Sequence, residues 1–205
     1  MCFKPKHQRQ IAMGWVRQEP VPAYFPEGYT VEVYNGDPRQ KKEFFRLWNG
    51  KYGTEKETND AFYRDFENYH DCKPEKDVHF VKYGDEYIGT ITAIHHPFGN
   101  LGYVHMVAIR EDFRGKRLSR PLNYIAMKKI YEDGSKRAYL TTNEWRQNAI
   151  RSYLKAGFYP LQNGVGKAEQ KEMIERWKKV YEDLGLGELQ MLDKHYRFIP
   201  KEKLQ

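Results

Sequence analysis

Apolar and polar positions alternate along Tyr29-Thr-Val-Glu-Val-Tyr34, and this period of two predicts a first strand. Asn35-Gly36 ends it. Asp37-Pro38 then supplies an N-cap followed by proline at the first helical position. A helix is expected over about 38–49, carrying Phe44, Phe45, Leu47 and Trp48. A second, over about 58–71, carries Ala61, Phe62, Phe66 and Tyr69 at helical spacing. Val78 to Tyr83 and Tyr87 to His95 read as strands joined by a Gly84-Asp85 hairpin turn. Pro97 and Gly99-Asn100 then break the chain before a strand from Leu101 to Ile109. The helix that follows is expected to run from 118 to about 133 and to stop at Gly134.

Arg137 to Thr142 reads as a further strand, and Thr141 or Asn143 as caps for a helix running to Ala156. Phe158 to Leu161 reads as a short strand. Met173, Trp177, Val180, Tyr181 and Leu184 mark a long amphipathic helix over about 168–184, and Tyr196 to Ile199 could add a terminal strand. Residues 1–27, rich in proline and aromatics, read as an extended arm. The order β-α-α-β-β-β-α-β-α-β predicts an α/β fold with a mixed sheet. We expect one domain over 1–205: an arm to 27, a core over 28–165, and a C-terminal helix and tail over 166–205.

The chemistry concentrates where the strand ending at Ile109 meets the next helix. The turn holds Arg114, Gly115, Lys116 and Arg117, and Leu118, Leu122, Ile125, Ala126 and Ile130 then share one helical face. Free N–H groups and the positive end of the helix dipole meet at such a turn, which makes it an anion site. The guest expected is a phosphorylated cofactor.

Net charge is +7 and the isoelectric point about 9.2, which also points to an anionic partner. Acids interrupt the positive charge along most of the chain, as at Lys171-Glu172 and Glu175-Arg176, and no zinc-finger or RNP-type motif is present. A nucleic-acid partner is therefore not expected. No run is long and apolar enough to span a bilayer, and the first ten residues lack the apolar segment of a secretory signal. Cys2 and Cys72 offer no metal or disulfide framework, which fits a reducing cytoplasm.

About thirty residues beyond the turn comes Asn148-Ala-Ile-Arg-Ser-Tyr-Leu-Lys-Ala-Gly-Phe158. This stretch and the turn, in this order, resemble the two signatures of the GNAT superfamily of acyl-CoA-dependent N-acetyltransferases. The first maps onto Arg114, Gly115, Lys116, Arg117, Leu118 and Ser119, and the second onto Asn148, Ala149, Tyr153, Gly157 and Phe158. The sequence departs from the pattern at Arg117, where the family has glycine, at Ser119, where it has glycine or alanine, and at Glu111, where it has proline. Arg117 at a positive φ would cost about 1 kcal/mol, offset by a cation at the diphosphate.

The resemblance implies a mixed, mostly antiparallel central sheet flanked by helices, to which the C-terminal helix is an addition. It implies a cytoplasmic N-acetyltransferase moving an acetyl group from acetyl-CoA to a primary amine by direct attack in a ternary complex. The main chain of Val107 and Ile109 would pair with the pantetheine arm, beside a bulge, and residues 114–119 would cradle the diphosphate. Asn148 would touch the cofactor or only stabilise its own helix start. Tyr153 would hydrogen-bond the leaving thiolate: transfer of its proton is uphill by roughly 2 kcal/mol, from a pKa near 10 to one near 8.5. His105 is the candidate base, with His95, His96 or water as alternatives. Trp48, Tyr52, Phe62, Tyr63 and Tyr69 would shape a pocket for a small-molecule or peptide amine. A homodimer is permitted. The alternatives are a degenerate GNAT domain that binds acyl-CoA without turnover and a basic nucleic-acid-binding module.

Overall fold

The computed structural model describes residues 9–164 and 166–204, so Cys2 and the start of the expected arm lie outside the described residues. Its elements are β1 (Ile11–Val16), β2 (Tyr29–Val33), α1 (Pro38–Asn49), α2 (Glu55–Phe62), α3 (Pro74–Asp77), β3 (Val78–Tyr83), β4 (Glu86–His96), β5 (Leu101–Ile109), α4 (Ser119–Glu132), β6 (Arg137–Thr142), α5 (Gln147–Lys155), β7 (Tyr159–Leu161) and α6 (Gly166–Asp183). The fold is mixed α/β with mostly antiparallel strand pairing, and the extra C-terminal helix is present. The chain forms two compact units. One is Arg17–Ala138; the other combines residues 9–16 with 139–204.

In the first unit β2, β3, β4 and β5 make an antiparallel meander. Asp37 caps α1 by accepting from the Arg39 N–H at 2.8 Å, Pro38 opens the helix, and Gly50 closes it at φ +71°. Asp37 and Pro38 are the signals read from the sequence, to which Gly50 adds the stop. The second helix differs. It begins earlier, at a Thr54/Glu57 capping box, and after Phe62 it relaxes into a π-helical turn over Tyr63–Glu67. Phe44, Phe62, Phe66, Val78 and Phe80 form the core beneath, each 0–1% exposed. Phe62, expected in an acceptor pocket, is thus a core residue.

β5 carries a bulge. Thr90 faces Ala108 and Thr92 faces His105, so one residue of β4 opposes Met106 and Val107 together. Met106 takes φ +49°. α4 stops with Gly134 at φ +83°. Its Lys129 Nζ bonds the buried Asp77 at 2.8 Å and Asp133 at 2.5 Å.

In the second unit β1 pairs antiparallel with β7, with Ala12 facing Leu161 and Gly14 facing Tyr159. Residues 11–16, read as part of an arm, are thus a strand whose first five residues are all buried. Neither Thr141 nor Asn143 caps α5 with its side chain; Arg146 occupies the cap position. α6 buries Met173, Trp177 and Val180. The expected strand Tyr196–Ile199 is not formed, and its one ladder contact is an isolated bridge between Phe198 and Leu192.

Candidate functional site

The turn after β5 begins as a short 3-10 segment, Glu111–Phe113. Phe113 is its anchor. The ring is buried against Tyr83 and Tyr29, at centroid separations of 5.6 and 6.3 Å. Lys116 Nζ lies 4.1 Å from the Phe113 centroid and the Arg110 guanidinium 4.6 Å from it. Arg110 is fixed further by Asp112 and Glu86, both at 2.7 Å.

Beyond this anchor the backbone turns twice through the left-handed region, Gly115 at φ +80° and Arg117 at φ +61°. Glycine at 115 is required by the torsion alone, since an added Cβ there would meet nothing within 4 Å. Arg117 adopts the strained conformation that the motif alignment expects of a glycine position. The consequence is a row of unused donors. Among the described residues, the main-chain N–H groups of Gly115, Lys116, Arg117, Leu118 and Ser119 meet no acceptor. No side chain caps α4, and its first turn contains no acidic residue. The positive end of the helix dipole is therefore uncompensated.

Beside the turn is a cleft of about 480 Å³, lined by Pro22, Ala23, Tyr24, Pro26, Lys116, Arg117, Arg120 and Pro121. The proline-rich segment before β2 supplies one wall. The sequence marked that segment as an extended arm without connecting it with the cationic turn. A second cleft, of about 210 Å³, is lined by Arg39, Glu43, Arg46, Tyr52, Glu86, Tyr87 and Arg110. Here Glu43 accepts from Arg46 Nε at 2.7 Å and from the Tyr52 hydroxyl at 2.8 Å. Burial and Glu43 push the Tyr52 phenol upward in pKa. Of the aromatics expected around an acceptor, Tyr52 lines this cleft. Trp48 packs on the core, and Tyr63 is half exposed.

His105 lies just before the bulge, on the face of Tyr103. Its Nδ1 is 3.0 Å from the Tyr103 hydroxyl, and its ring lies 4.9 Å from those of Tyr69 and Tyr103. Burial pushes its pKa down to about 4; Asp65, through its carboxylate and main chain, opposes the shift without cancelling it. His95 Nδ1 is held 2.7 Å from the buried Ser135 hydroxyl. Val107 and Ile109 are half-buried on the stretch of β5 beyond the bulge, and Ile109 stands opposite Gly89 of β4.

Asn148 and Tyr153 belong to the second unit. Asn148 is exposed in the first turn of α5. Tyr153 is buried against Phe158, with ring centroids 6.2 Å apart, and burial pushes its phenol up to about 12.

A strand, a left-handed cationic turn and a helix without a side-chain cap follow one another in a mixed α/β fold. Residues 41–158 match the model of the acetyltransferase (GNAT) family. That is more than half of the chain, and the chain belongs to this family. No curated protein matches it in sequence. Among solved structures it is similar to a GCN5-related N-acetyltransferase from Sphaerobacter thermophilus, at 21% identity and TM-score 0.55 over 74% of this chain and 49% of that one. A tandem GNAT protein from the clavulanic acid biosynthesis pathway matches at 16% identity and TM-score 0.57, over 73% and 49%. A GCN5-related N-acetyltransferase from Kribbella flavida matches at 16% and 0.50, over 75% and 55%. At these identities the likeness is one of fold, and the chain spans about half the length of these relatives. No helix among the described residues is long and apolar enough to cross a membrane.

Proposed function

We propose that the chain is an acetyl-CoA-dependent N-acetyltransferase that passes an acetyl group directly to a primary amine within a ternary complex. The observation that carries this is the row of five main-chain N–H groups without acceptors at residues 115–119, in a turn where Gly115 and Arg117 are left-handed. A diphosphate is the ligand that such a row satisfies. Lys116, Arg117 and Arg120 add positive charge. The cleft walled by Pro22, Tyr24 and Pro26 has apolar surface to receive the nucleoside end. The resemblance assigns the main chain of Val107 and the Ile109 N–H to the amide-bearing arm, and adds Asn148 as a further contact to it.

When bound, acetyl-CoA supplies an activated thioester carbonyl. The protein orients it, shields it from water and handles one proton. Tyr153 keeps its own proton: from about 12 to the 8.5 of a thiol, full transfer is uphill by about 5 kcal/mol. Its role is to donate a hydrogen bond to the developing thiolate. His105 is neutral at pH 7, yet with a pKa of about 4 it draws little proton from an ammonium near 10.4. Water therefore takes the amine proton, and His105 holds the aromatic stack. The acceptor is an amine on a small molecule or peptide, and the reaction takes place in the cytoplasm. The +7 charge serves the cofactor rather than a nucleic acid.

Arg117 favours one second reading, a domain that retains acyl-CoA without turnover. Calorimetry with CoA, followed by thiol release from acetyl-CoA against an amine panel, separates the two. Binding with turnover supports the transferase, and binding without turnover supports the second reading. An absence of heat with CoA defeats both, and salt-sensitive RNA or DNA retention that CoA does not displace would point to a nucleic-acid module.

A further inference from the structure

On the first unit, away from the cationic turn in sequence, two histidines and an aspartate converge. Asp71 Oδ2 lies 2.9 Å from His96 Nδ1 and 3.2 Å from His70 Nε2, and one donor atom from each residue falls within 4.8 Å of the others. We propose that His70, Asp71 and His96 bind a divalent metal ion of the zinc class and that the ion clamps the loop after the π-helical turn to the end of β4.

The backbone that carries the donors is held in place before any ion arrives. The Cys72 N–H donates to the Tyr69 carbonyl at 3.1 Å, closing a turn over 69–72. Both ends of that turn are anchored. The Tyr69 ring stacks on Tyr103 and His105 at 5.9 and 4.9 Å, and Cys72 packs against the Phe44–Phe66 core. His70 and Asp71 are displayed between these anchors, Asp71 at φ +61°. The third donor comes from a rigid strand: His96 is the last residue of β4 and its ring lies parallel to that of Tyr103.

Zinc takes nitrogen and carboxylate oxygen at about 2.0–2.2 Å, which puts adjacent ligands of a tetrahedral site about 3.3–3.5 Å apart. The two Asp71 separations are already near this. The remaining one, between the ring nitrogens, closes by movement of His70, whose side chain is 85% exposed and free to adjust. Two imidazoles and one carboxylate favour zinc, cobalt or nickel over the all-oxygen preference of calcium and magnesium. Three protein ligands leave a fourth position for water.

The test is independent of any acyltransferase activity. Chelator-treated full-length protein is titrated with Co²⁺, a spectroscopic stand-in for Zn²⁺, and then with Zn²⁺. We expect one Co²⁺ per chain with ligand-field bands that Zn²⁺ abolishes. Zn²⁺ should also slow amide exchange across residues 69–73. His70→Ala, at an exposed position that the fold does not need, should weaken binding at least about tenfold and remove the exchange protection. Asp71→Asn should do the same. Unaltered cobalt spectra in His70→Ala would place the metal elsewhere and overturn the proposal, as would an absence of binding by the wild-type chain.

Discussion

Arg117 sets backbone strain against ligand charge, and Arg117→Gly separates them. At φ +61° the arginine costs about 1 kcal/mol, which glycine would release. Glycine in turn widens the unfolded ensemble at a cost of about 0.4–1 kcal/mol. The two nearly cancel, leaving a net change within about 0.5 kcal/mol. With an unfolding entropy of about 2.1 cal/mol/K per residue over 205 residues, Tm should move by only about 1 °C. Ligand affinity should respond differently. Arg117 is exposed, so its attraction to a diphosphate is screened and amounts to about 1 kcal/mol, or about fivefold in Kd. Calorimetry with CoA at low and raised salt should show the Arg117→Gly chain binding about fivefold more weakly at low salt, with a shallower salt dependence. Arg117→Lys, which keeps the charge, should bind close to wild type. Equal CoA affinity for Arg117→Gly and wild type at low salt would refute the placement of the diphosphate at this turn.

Tyr153→Phe should lower kcat by about tenfold with little change in KM for acetyl-CoA, as expected of a hydrogen bond that matters at the leaving group. His105, with its folded pKa down at about 4, makes stability pH-dependent. Between about pH 6.5 and 4 the unfolded chain takes up a proton that the folded chain refuses, so stability falls with acidification over that window. Denaturant melts across that range, repeated with His105→Gln, should show the component vanish. Lys129→Met leaves Asp77 buried without its cation, and breaking such a pair should cost about 3 kcal/mol, or about 7 °C in Tm by calorimetry. An Asp77→Asn/Lys129→Met chain should recover part of that loss.

Local signals were legible wherever the chain carries its own instruction. Asp37-Pro38 and Gly134 mark helix ends through torsion and capping that a few residues settle. The cationic turn was legible for the same reason, down to the strained torsion at Arg117. What depends on distant partners was not. Ile11–Val16 carries no alternation because five of its six residues are buried, and its partner β7 lies far along the sequence. Tyr196–Ile199 has the composition of a strand but finds no ladder. The bulge in β5 was expected only through the family resemblance, and the π-helical turn and the wall built by Pro22–Pro26 are answers to packing, which no spacing rule encodes. His105 could be named from its strand, but its low pKa arises from the aromatic rings around it.

The extra residue in β5 has an evolutionary corollary. Inserting one position into a strand reverses which side each later residue presents, so Leu101–His105 and Val107–Ile109 answer to different neighbours. Selection can remodel the tyrosine–histidine stack on one side without disturbing the main chain that leads into the cationic turn. Removing that single residue would return the strand to one phase and bind the two histories together again.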